Sequence, residues 1–276
     1  MSITLQANGM KDVGQARELN EDEFFVKVMQ SSDEPAVGLF IIADGMGGTK
    51  GGELASEWAV KTLRTELQSL FAPENLMQTR KLSTAEIAAA GSAATNKVVD
   101  FTVQEQIERA VRQANAVVVN YARNRPDKAG DTGTTVTMAV IKESIAYIAN
   151  VGDSRTYLFS QGQLRPVTED HSLVGSLVKV GQLQPDEIYA HPQRNLIYRS
   201  LGGKPVVEVD QFVQPLQPGD QLLLCSDGLW EMVRDPEIAA ILRDAASPAA
   251  ACQRLIEAAN ACGGEDNISV VVVTVQ

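Results

Sequence analysis

Short apolar runs separated by brief polar links dominate the pattern of this chain, and a few longer segments carry apolar residues at helical spacing. Residues 39–43 are entirely apolar and have the length of a buried strand. From Glu53, apolar residues recur every three or four positions as far as Leu70, which is typical of an amphipathic helix. The same criteria predict further strands over 3–9, 24–28, 136–141, 145–151, 156–159, 206–213, 221–225 and 268–275, and further helices over 103–123, 167–184, 235–243 and from Ser247 to 261, with a short helix beginning at 185.

Most of the predicted strands are connected by short polar links, which is the arrangement of antiparallel hairpins. Strands 24–28 and 39–43 form one hairpin, and strands 136–141 and 145–151 form a second. The strands also outnumber those that a doubly wound parallel sheet needs. We therefore predict an α+β fold in which two antiparallel sheets carry helices on their outer sides. Residues 72–102 have no clear period and are predicted to form a loop of unassigned function.

Composition limits the classes of function. The 276 residues are 44% hydrophobic, which suits one large globular domain or two small ones. A net charge of −11 argues against general affinity for nucleic acid or for an anionic membrane. The N-terminus lacks a signal-peptide pattern, and the apolar runs are too short to span a bilayer. The three cysteines are irregularly spaced, as expected of reduced thiols in the cytoplasm.

An acidic residue stands at the end of the apolar run 39–43 and opens a glycine-rich loop. Asp44 follows the run directly, and the glycines after it allow the backbone to turn tightly near a ligand. The loop is neither a Walker loop nor a dinucleotide-binding fingerprint, because the required lysine and the G-x-G-x-x-G spacing are absent. In a hairpin the start of the first strand lies beside the end of the second, so Glu21 and Asp22 are expected next to Asp44.

Other acids occupy the same kind of position. Asp131 and Asp153 lie at one end of the second hairpin, and Asp227 follows another apolar strand. Asp266 precedes the last strand, and antiparallel pairing would bring it to Asp44 and Asp227. Taken singly, each acid is better explained as a cap or turn residue. Several acids that meet at strand ends favour a shared site.

Clustered carboxylates in this number cannot all remain ionised without cations. The chain has only two histidines, 20 residues apart, and no cysteine cluster, so the ligands are hard oxygens that suit Mg²⁺ or Mn²⁺. Two such ions about 3.5–4 Å apart can activate a water and clamp a phosphoryl group. Asp44 is the acid best placed to bridge them. Arg17 lies shortly before the acids and could hold a phosphate bidentately; otherwise it is a solvated side chain or a surface ion pair.

Short motifs follow one another through almost the whole chain. They are RELNED at 17–22, DGMGG at 44–48, DTGTT at 131–135, VGDSR at 151–155, DHS at 170–172, RSLG at 199–202, SDGLW at 226–230 and DN at 266–267. On these motifs the chain resembles the metal-dependent protein phosphatases of the PP2C (PPM) family, of the bacterial type. The resemblance implies a four-layer α-β-β-α sandwich with two central antiparallel sheets. It also implies a single domain over 1–276, with a flap at about 172–198 beside the active site.

The resemblance assigns two or three metal ions, Mn²⁺ or Mg²⁺, to the acids. Asp44 would bridge two ions and the carbonyl of Gly45 would bind one of them. Asp227 and Asp266 would hold the first ion.

The remaining acids would serve the other ions. Asp22, with Glu21, would hold the second ion, partly through water. Asp131 would help Asp227 to hold a third, weaker ion. Glu231 would be a further contact of that third ion.

Arg17 would bind the substrate phosphate, which makes Arg17, Asp22 and Asp44 the predicted catalytic residues. Asp153 is predicted to order its own loop through side-chain hydrogen bonds. His171 and His191 are predicted to pack or to form hydrogen bonds rather than to act as acid catalysts. Met46 stands where animal relatives have a histidine proposed as general acid, so this role is left unassigned.

The implied activity is hydrolysis of phosphoserine and phosphothreonine on proteins by a metal-activated water, in opposition to serine/threonine kinases. Neither Ser154 nor Ser226 has a base partner visible in the sequence, which argues against a covalent serine route. The implied enzyme is a cytoplasmic monomer whose partners are phosphorylated proteins. Two alternatives remain: a two-metal hydrolase of small phosphoesters, and an inactive phosphoprotein-binding module. Loss of a metal-ligand acid would indicate the module, and none is lost.

Overall fold

Two five-stranded antiparallel sheets form the centre of the protein. The computed structural model describes residues 3–30, 36–47, 51–71, 102–124 and 132–276. The first sheet has the order β1-β12-β11-β8-β9 and the second the order β10-β7-β6-β3-β2. Their strands are β1 Leu5–Asp12, β2 Glu23–Met29, β3 Val37–Ala43, β6 Val136–Lys142, β7 Ile145–Val151, β8 Arg155–Ser160, β9 Gln163–Pro166, β10 Asp210–Pro215, β11 Gln221–Cys225 and β12 Ile268–Val275. A separate short pair joins β4 Gly45–Met46 to β5 Gly133–Thr134.

Helices cover the outer faces of both sheets. They are α1 Gly51–Glu66, α2 Val103–Asn124, α3 Leu173–Lys179, α4 Asp227–Trp230, α5 Asp235–Asp244 and α6 Pro248–Ala261, with 3₁₀ helices at Gln68–Phe71 and Pro185–Ala190. The helix α6 begins where the sequence predicts, because the Ser247 hydroxyl accepts a hydrogen bond from the N–H of Ala250. Among the described residues, no helix is long and apolar enough to cross a membrane.

The four-layer sandwich follows from the alternation of side chains along the central strands. Phe40 and Ile42 of β3 point into a core between the sheets, where Leu222 and Leu224 of β11 meet them. The intervening residues of β3 pack instead against α1 and α2, in a second core that includes Leu39, Ile41, Leu63, Ile107 and Val111. A third core lies between the first sheet and helices α4 to α6. The predicted fold class is therefore confirmed.

Both predicted hairpins are confirmed in register. Strand β2 pairs with β3 from Glu23 opposite Ala43, and β6 pairs with β7 from Val136 opposite Val151. In the described part of the chain, strand β1 pairs only with β12, so it lies at the edge of its sheet as predicted.

Several predicted elements have wrong boundaries. The strand predicted over 3–9 is β1, Leu5–Asp12, and the helix predicted from Glu53 to Leu70 is α1, Gly51–Glu66. The helix predicted over 167–184 is confined to α3, because Val167 and Thr168 are drawn into hydrogen bonds with Thr156 of strand β8. The strand predicted over 206–213 is β10, which begins only at Asp210, where pairing with β7 starts. The β4–β5 pair and the single-turn helix α4 were not predicted. The predicted loop 72–102 lies outside the described residues apart from Thr102.

The segment 172–198, which we call the flap, leaves and re-enters the body of the protein at neighbouring points. Ser172 and Ile197 form an isolated antiparallel bridge, and the N–H of Tyr198 donates to the carbonyl of His171 at 2.9 Å. Between these points the chain forms α3 and the second 3₁₀ helix. The segment is therefore closed at its base by hydrogen bonds between its two ends; its role as a flap beside the active site stays a prediction.

Candidate metal centre and active site

Four of the predicted acids lie at one end of the sandwich, where strands of both sheets end or begin. Asp22 precedes β2 and Asp44 follows β3, so the register of that hairpin places both at the same edge. Asp227 follows β11 and Asp266 precedes β12, which pair antiparallel. The two pairs of acids therefore come from different sheets.

Ser226 connects the two sheets at this edge. Its hydroxyl donates to Asp22 Oδ2 at 2.8 Å, although the residues are 204 positions apart. The hydroxyl oxygen of Ser226 also accepts the N–H of Ser269 at 2.9 Å, and the N–H of Ser226 donates to the carbonyl of Ser269 at 3.1 Å. Asp22 is thereby held in place while its other oxygen, Oδ1, is buried without a protein partner among the described residues.

The backbone of Asp44 is clamped by the threonines of the DTGTT motif. Its N–H donates to Thr135 Oγ1 at 3.1 Å, and its carbonyl accepts the N–H of Thr135 at 2.8 Å and the hydroxyl of Thr134 at 2.9 Å. Gly45 follows in β4, and a Cβ atom there would collide with the carbonyl oxygens of Glu21 and Gly52. Glycine at 45 is therefore required for the loop to approach α1 this closely.

The carboxyl groups disfavour one another's charge. Burial, followed by the charges of Asp227 and Asp22, raises the pKa of Asp44 well above its usual range. Burial, followed by Asp153 and Asp266, does the same to the pKa of Asp227, whose carboxyl group is in hydrogen-bond contact with that of Asp44. Burial also raises the pKa of Asp22 to about 6. Without a cation, this site therefore retains protons that isolated aspartates would release.

These residues fit divalent cations in donor chemistry. Asp22 Oδ1 and Asp227 Oδ1 are both buried with no hydrogen-bond partner in the described structure, and a cation would satisfy both oxygens. The charges of Asp44 and Asp227 also disfavour each other, and a cation would compensate both. Within the described ranges, however, no three histidine, cysteine or acidic side chains already converge closely enough to hold an ion. The predicted ligand Asp131 lies outside those ranges.

Arg17 and Glu21 have partners in the structure beyond those predicted. A terminal nitrogen of Arg17 lies 2.6 Å from Asp266 Oδ2. Burial disfavours the charge of Arg17, but Asp266, Asp227 and Glu21 outweigh that effect and raise its pKa. The carboxylate of Glu21 accepts hydrogen bonds from the N–H groups of Gly52 and Glu53, so it caps the start of α1. Burial raises the pKa of Glu21 even so.

Arg194 of the flap reaches two acidic residues beside the metal-ligand candidates. Arg194 donates to Glu231 Oε2 and to Glu265 Oε2, each at 3.2 Å. Glu231 lies one turn beyond Asp227, and Glu265 directly precedes Asp266. The sequence named Glu231 only as a metal contact and did not reveal Arg194.

The buried Asp153 is accompanied by an aromatic anchor. Its carbonyl accepts the indole N–H of Trp230 at 3.0 Å, and burial raises the pKa of its carboxyl group to about 7, with Asp170 contributing. The guanidinium of Arg155 lies over the same indole, 3.6 Å from the ring centroid. His191 is half-buried, and its Nδ1 accepts the N–H of Gln193 at 3.2 Å.

A family model described as protein phosphatase 2C matches residues 14–261 of this chain. The chain belongs to the protein phosphatase 2C family. The "Serine/threonine phosphatase stp" of Listeria innocua is 36% identical over 98% of this chain and 95% of its own length. The resemblance expected from the sequence motifs is thereby confirmed.

Solved structures of protein phosphatase 2C type extend the likeness to the fold. The crystal structure of the Mycobacterium tuberculosis serine/threonine phosphatase PstP/Ppp shares 32% identity and a TM-score of 0.76, over 98% of both chains. A PstP catalytic domain in complex with two manganese ions shares 31% identity and a TM-score of 0.77, over 99% of both chains.

The residues that hold the acids in place are less evident from the sequence than the acids themselves. Ser226 and Thr135 stand beside the predicted ligands in the SDG and DTGTT motifs, so their position was a signal. Their function as clamps depends on distant partners, Asp22 and Asp44, which no local pattern identifies. The assignment of each acid to a particular ion remains a prediction.

Proposed function

We propose that this protein is a metal-dependent phosphatase that removes phosphate from phosphoserine and phosphothreonine in proteins. The observation that carries the proposal is a pair of buried carboxylate oxygens, Asp22 Oδ1 and Asp227 Oδ1, that lack hydrogen-bond partners among the described residues. Membership of the protein phosphatase 2C family and the manganese ions in the related PstP domain support the same conclusion.

The proposed ligands follow from the placement of the acids. Asp44 would bridge two ions, and the carbonyl of Gly45 would bind one of them. Asp227 and Asp266 would hold one ion, and Asp22 would hold the other. Mn²⁺ or Mg²⁺, when bound, supplies water activation and neutralises charge at the phosphoryl group.

Two further acids have proposed roles around these ions. Asp131 would join Asp227 at a third ion. Glu21 would contribute through water, because its carboxylate already accepts the N–H groups of Gly52 and Glu53. For this reason we propose that Asp22 binds the ion directly and that Glu21 mainly orients α1 and the glycine loop.

Arg17 is the proposed phosphate-binding group. It pairs with Asp266 through one terminal nitrogen, and its side chain is half exposed. A cation on Asp266 would compete for that carboxylate and leave the guanidinium available to a phosphate. Arg17 would thus orient the phosphoryl group and compensate its charge, while the acids hold the ions.

The proposed partners are phosphorylated proteins, on which this enzyme would oppose serine/threonine kinases. It would act as a monomer and would bind neither nucleic acid nor membranes. The net charge of −11 supports the absence of polyanionic partners. All three cysteines are free, which supports a reducing compartment such as the cytoplasm.

The test is release of phosphate from a phosphothreonine peptide with Mn²⁺ or with EDTA. We expect release only with Mn²⁺, and its loss in Asp227→Ala and Asp44→Asn. Asp244→Asn is the matched control, because Asp244 is an exposed acid paired with Arg243 at the end of α5.

The outcome also separates the two alternatives. Hydrolysis of p-nitrophenyl phosphate without hydrolysis of any phosphopeptide would favour a small-phosphoester hydrolase. Binding of phosphopeptides with no release of phosphate, at saturating Mn²⁺, would favour the binding module and refute the proposed activity.

A further inference from the structure

A buried histidine connects the base of the flap to the loop behind the acidic site. His171 is only 2% exposed and directly precedes the flap. Its Nδ1 lies 3.0 Å from the N–H nitrogen of Gly152, and its Nε2 lies 3.1 Å from Asp210 Oδ2. The same pair of residues is joined a second time, because the N–H of His171 donates to the carbonyl of Gly152 at 2.9 Å.

These contacts decide which ring nitrogen carries the proton. A backbone N–H can only donate, so Nδ1 of His171 must be an acceptor and carries no hydrogen. The neutral ring then has its hydrogen on Nε2, from where it donates to Asp210. Arg199 Nη1 donates to Asp210 at 2.6 Å and also lies 3.0 Å from His171 Nε2. Because both nitrogens carry hydrogens in this tautomer, the second contact is not a hydrogen bond, and the Asp210 carboxylate accepts from both groups. Burial lowers the pKa of His171, in agreement with a neutral ring.

Gly152 in turn packs against the threonine that clamps Asp44. Its φ angle is +114°, and a Cβ atom on it would lie 2.6 Å from the Cβ of Thr135, so no side chain fits. Two residues further on, the hydroxyl of Ser154 lies 2.6 Å from that of Thr135. Thr135 Oγ1 accepts the N–H of Asp44 and has a second lone pair and a hydrogen left, so either hydroxyl can be the donor of the bond between Thr135 and Ser154. The loop around Gly152 therefore orients the Thr135 hydroxyl.

We propose that His171 is a positioning residue for the phosphatase reaction, and that it acts solely as the hydrogen-bond acceptor of the Gly152 N–H. With this acceptor in place, the 152–154 loop holds Thr135, and Thr135 holds the backbone of Asp44. Without it, a buried N–H loses its partner and the loop must move or take in water. The inference rests on the proposed function, because its catalytic consequence requires an active phosphatase.

Two substitutions separate the nitrogens of the ring. Asparagine places an amide oxygen near the position of Nδ1, so His171→Asn preserves an acceptor for Gly152. Glutamine places its amide near Nε2, so His171→Gln preserves the contact with Asp210 and leaves the Gly152 N–H unpaired. We expect His171→Asn to retain kcat within about twofold and His171→Gln to lose about tenfold in kcat, with KM for a phosphopeptide unchanged in both. Calorimetric Mn²⁺ affinity should fall in His171→Gln alone.

The design keeps failure of the inference distinct from failure of the proposed function. Inactive wild-type protein would refute the function; active wild type with equal kcat and Mn²⁺ affinity in both variants would refute the role of His171. If His171→Gln does not fold, Thr135→Val is used instead, because it removes the hydroxyl that accepts the N–H of Asp44. It should lose about as much kcat as expected for His171→Gln, whereas Thr135→Ser, which keeps the hydroxyl, should not.

The hydrogen bond itself can be measured in the wild-type protein without any activity. Nitrogen-15 NMR should show an Nε2–H tautomer for His171, a scalar coupling between its Nδ1 and the Gly152 nitrogen, and slow exchange of the Gly152 amide. An Nδ1–H tautomer, or rapid exchange of that amide, would overturn the proposal.

Discussion

Arg17 and Asp266, 249 positions apart in the chain, form an ion pair of 2.6 Å at the edge of the acidic site. The pair joins the proposed phosphate-binding cation to a proposed metal ligand. Because both side chains are partly exposed, the pair itself contributes little to stability. Its importance is that the two groups compete for partners when a metal and a phosphate arrive.

The first prediction concerns Arg17. Replacing it with alanine should lower kcat/KM for a phosphothreonine peptide about 10- to 100-fold, because a charge-assisted hydrogen bond to phosphate is lost. Arg17→Lys should recover part of the loss, since it keeps the charge without the bidentate geometry. Steady-state kinetics at saturating Mn²⁺ measure both, and unchanged kcat/KM in Arg17→Ala would show that phosphate is bound elsewhere.

The second prediction concerns the stability of the metal-free protein. Asp44→Asn should raise the melting temperature in EDTA at pH 8, because it removes a charge that the folded state disfavours. A gain of about 1 kcal/mol corresponds to roughly 2–4 °C for a domain of this size. The same variant should gain less than wild type from added Mn²⁺, since a ligand is lost. Differential scanning calorimetry with and without Mn²⁺ tests this, and a lower melting temperature in EDTA would contradict it.

The third prediction concerns Asp22 and the pH dependence of the stability of the metal-free protein. The folded-state pKa of Asp22 is raised to about 6, above its value in the unfolded chain. Its protonated form therefore stabilises the fold at low pH, and that contribution disappears as pH rises through about 6. In EDTA, the free energy of unfolding of Asp22→Asn should rise relative to that of wild type between pH 4 and pH 8, by on the order of 3 kcal/mol.

Urea unfolding at several pH values measures this difference. The amide oxygen introduced by Asp22→Asn would still accept the Ser226 hydroxyl, so that hydrogen bond is common to both proteins. A difference in unfolding free energy that stays constant with pH would show that Asp22 has an ordinary pKa. Saturating Mn²⁺ should reverse the order of stability at pH 8, since the cation favours the ionised carboxylate.

The fourth prediction concerns the buried ion pair of Arg155 and Asp170. Arg155 donates to both oxygens of Asp170, the shortest contact being 2.7 Å, and both side chains are largely buried. Asp170→Asn should destabilise the protein by about 3 kcal/mol, because it leaves a buried guanidinium without its counter-charge. Glu108→Gln breaks the exposed Arg112–Glu108 pair of α2 and should change stability by less than about 0.5 kcal/mol. Equal effects in urea unfolding would refute the burial argument.

The sequence and the structure differ most where a segment's local pattern competes with distant partners. Residues 167–171 carry a helical pattern that the structure does not follow. The hydroxyl oxygen of Thr168 accepts the N–H of Thr156, and the carbonyl of Gly152 accepts the N–H of His171. Long-range hydrogen bonds to β8 and to the loop after β7 thus replace the first turn of a helix. Segments whose partners are sequence neighbours, such as the β2–β3 hairpin, pair as predicted.

The sequence by itself determined the layers of the fold and the identity of the acids. Apolar runs of strand length and the acid that follows or precedes them are local properties, so they can be read without coordinates. Only the tertiary structure decided that Ser226 holds Asp22, that Arg17 meets Asp266 and that His171 accepts from Gly152. The physical reason is that hydrogen bonds act over about 3 Å, and no periodicity encodes which distant residues the packed sheets bring that close.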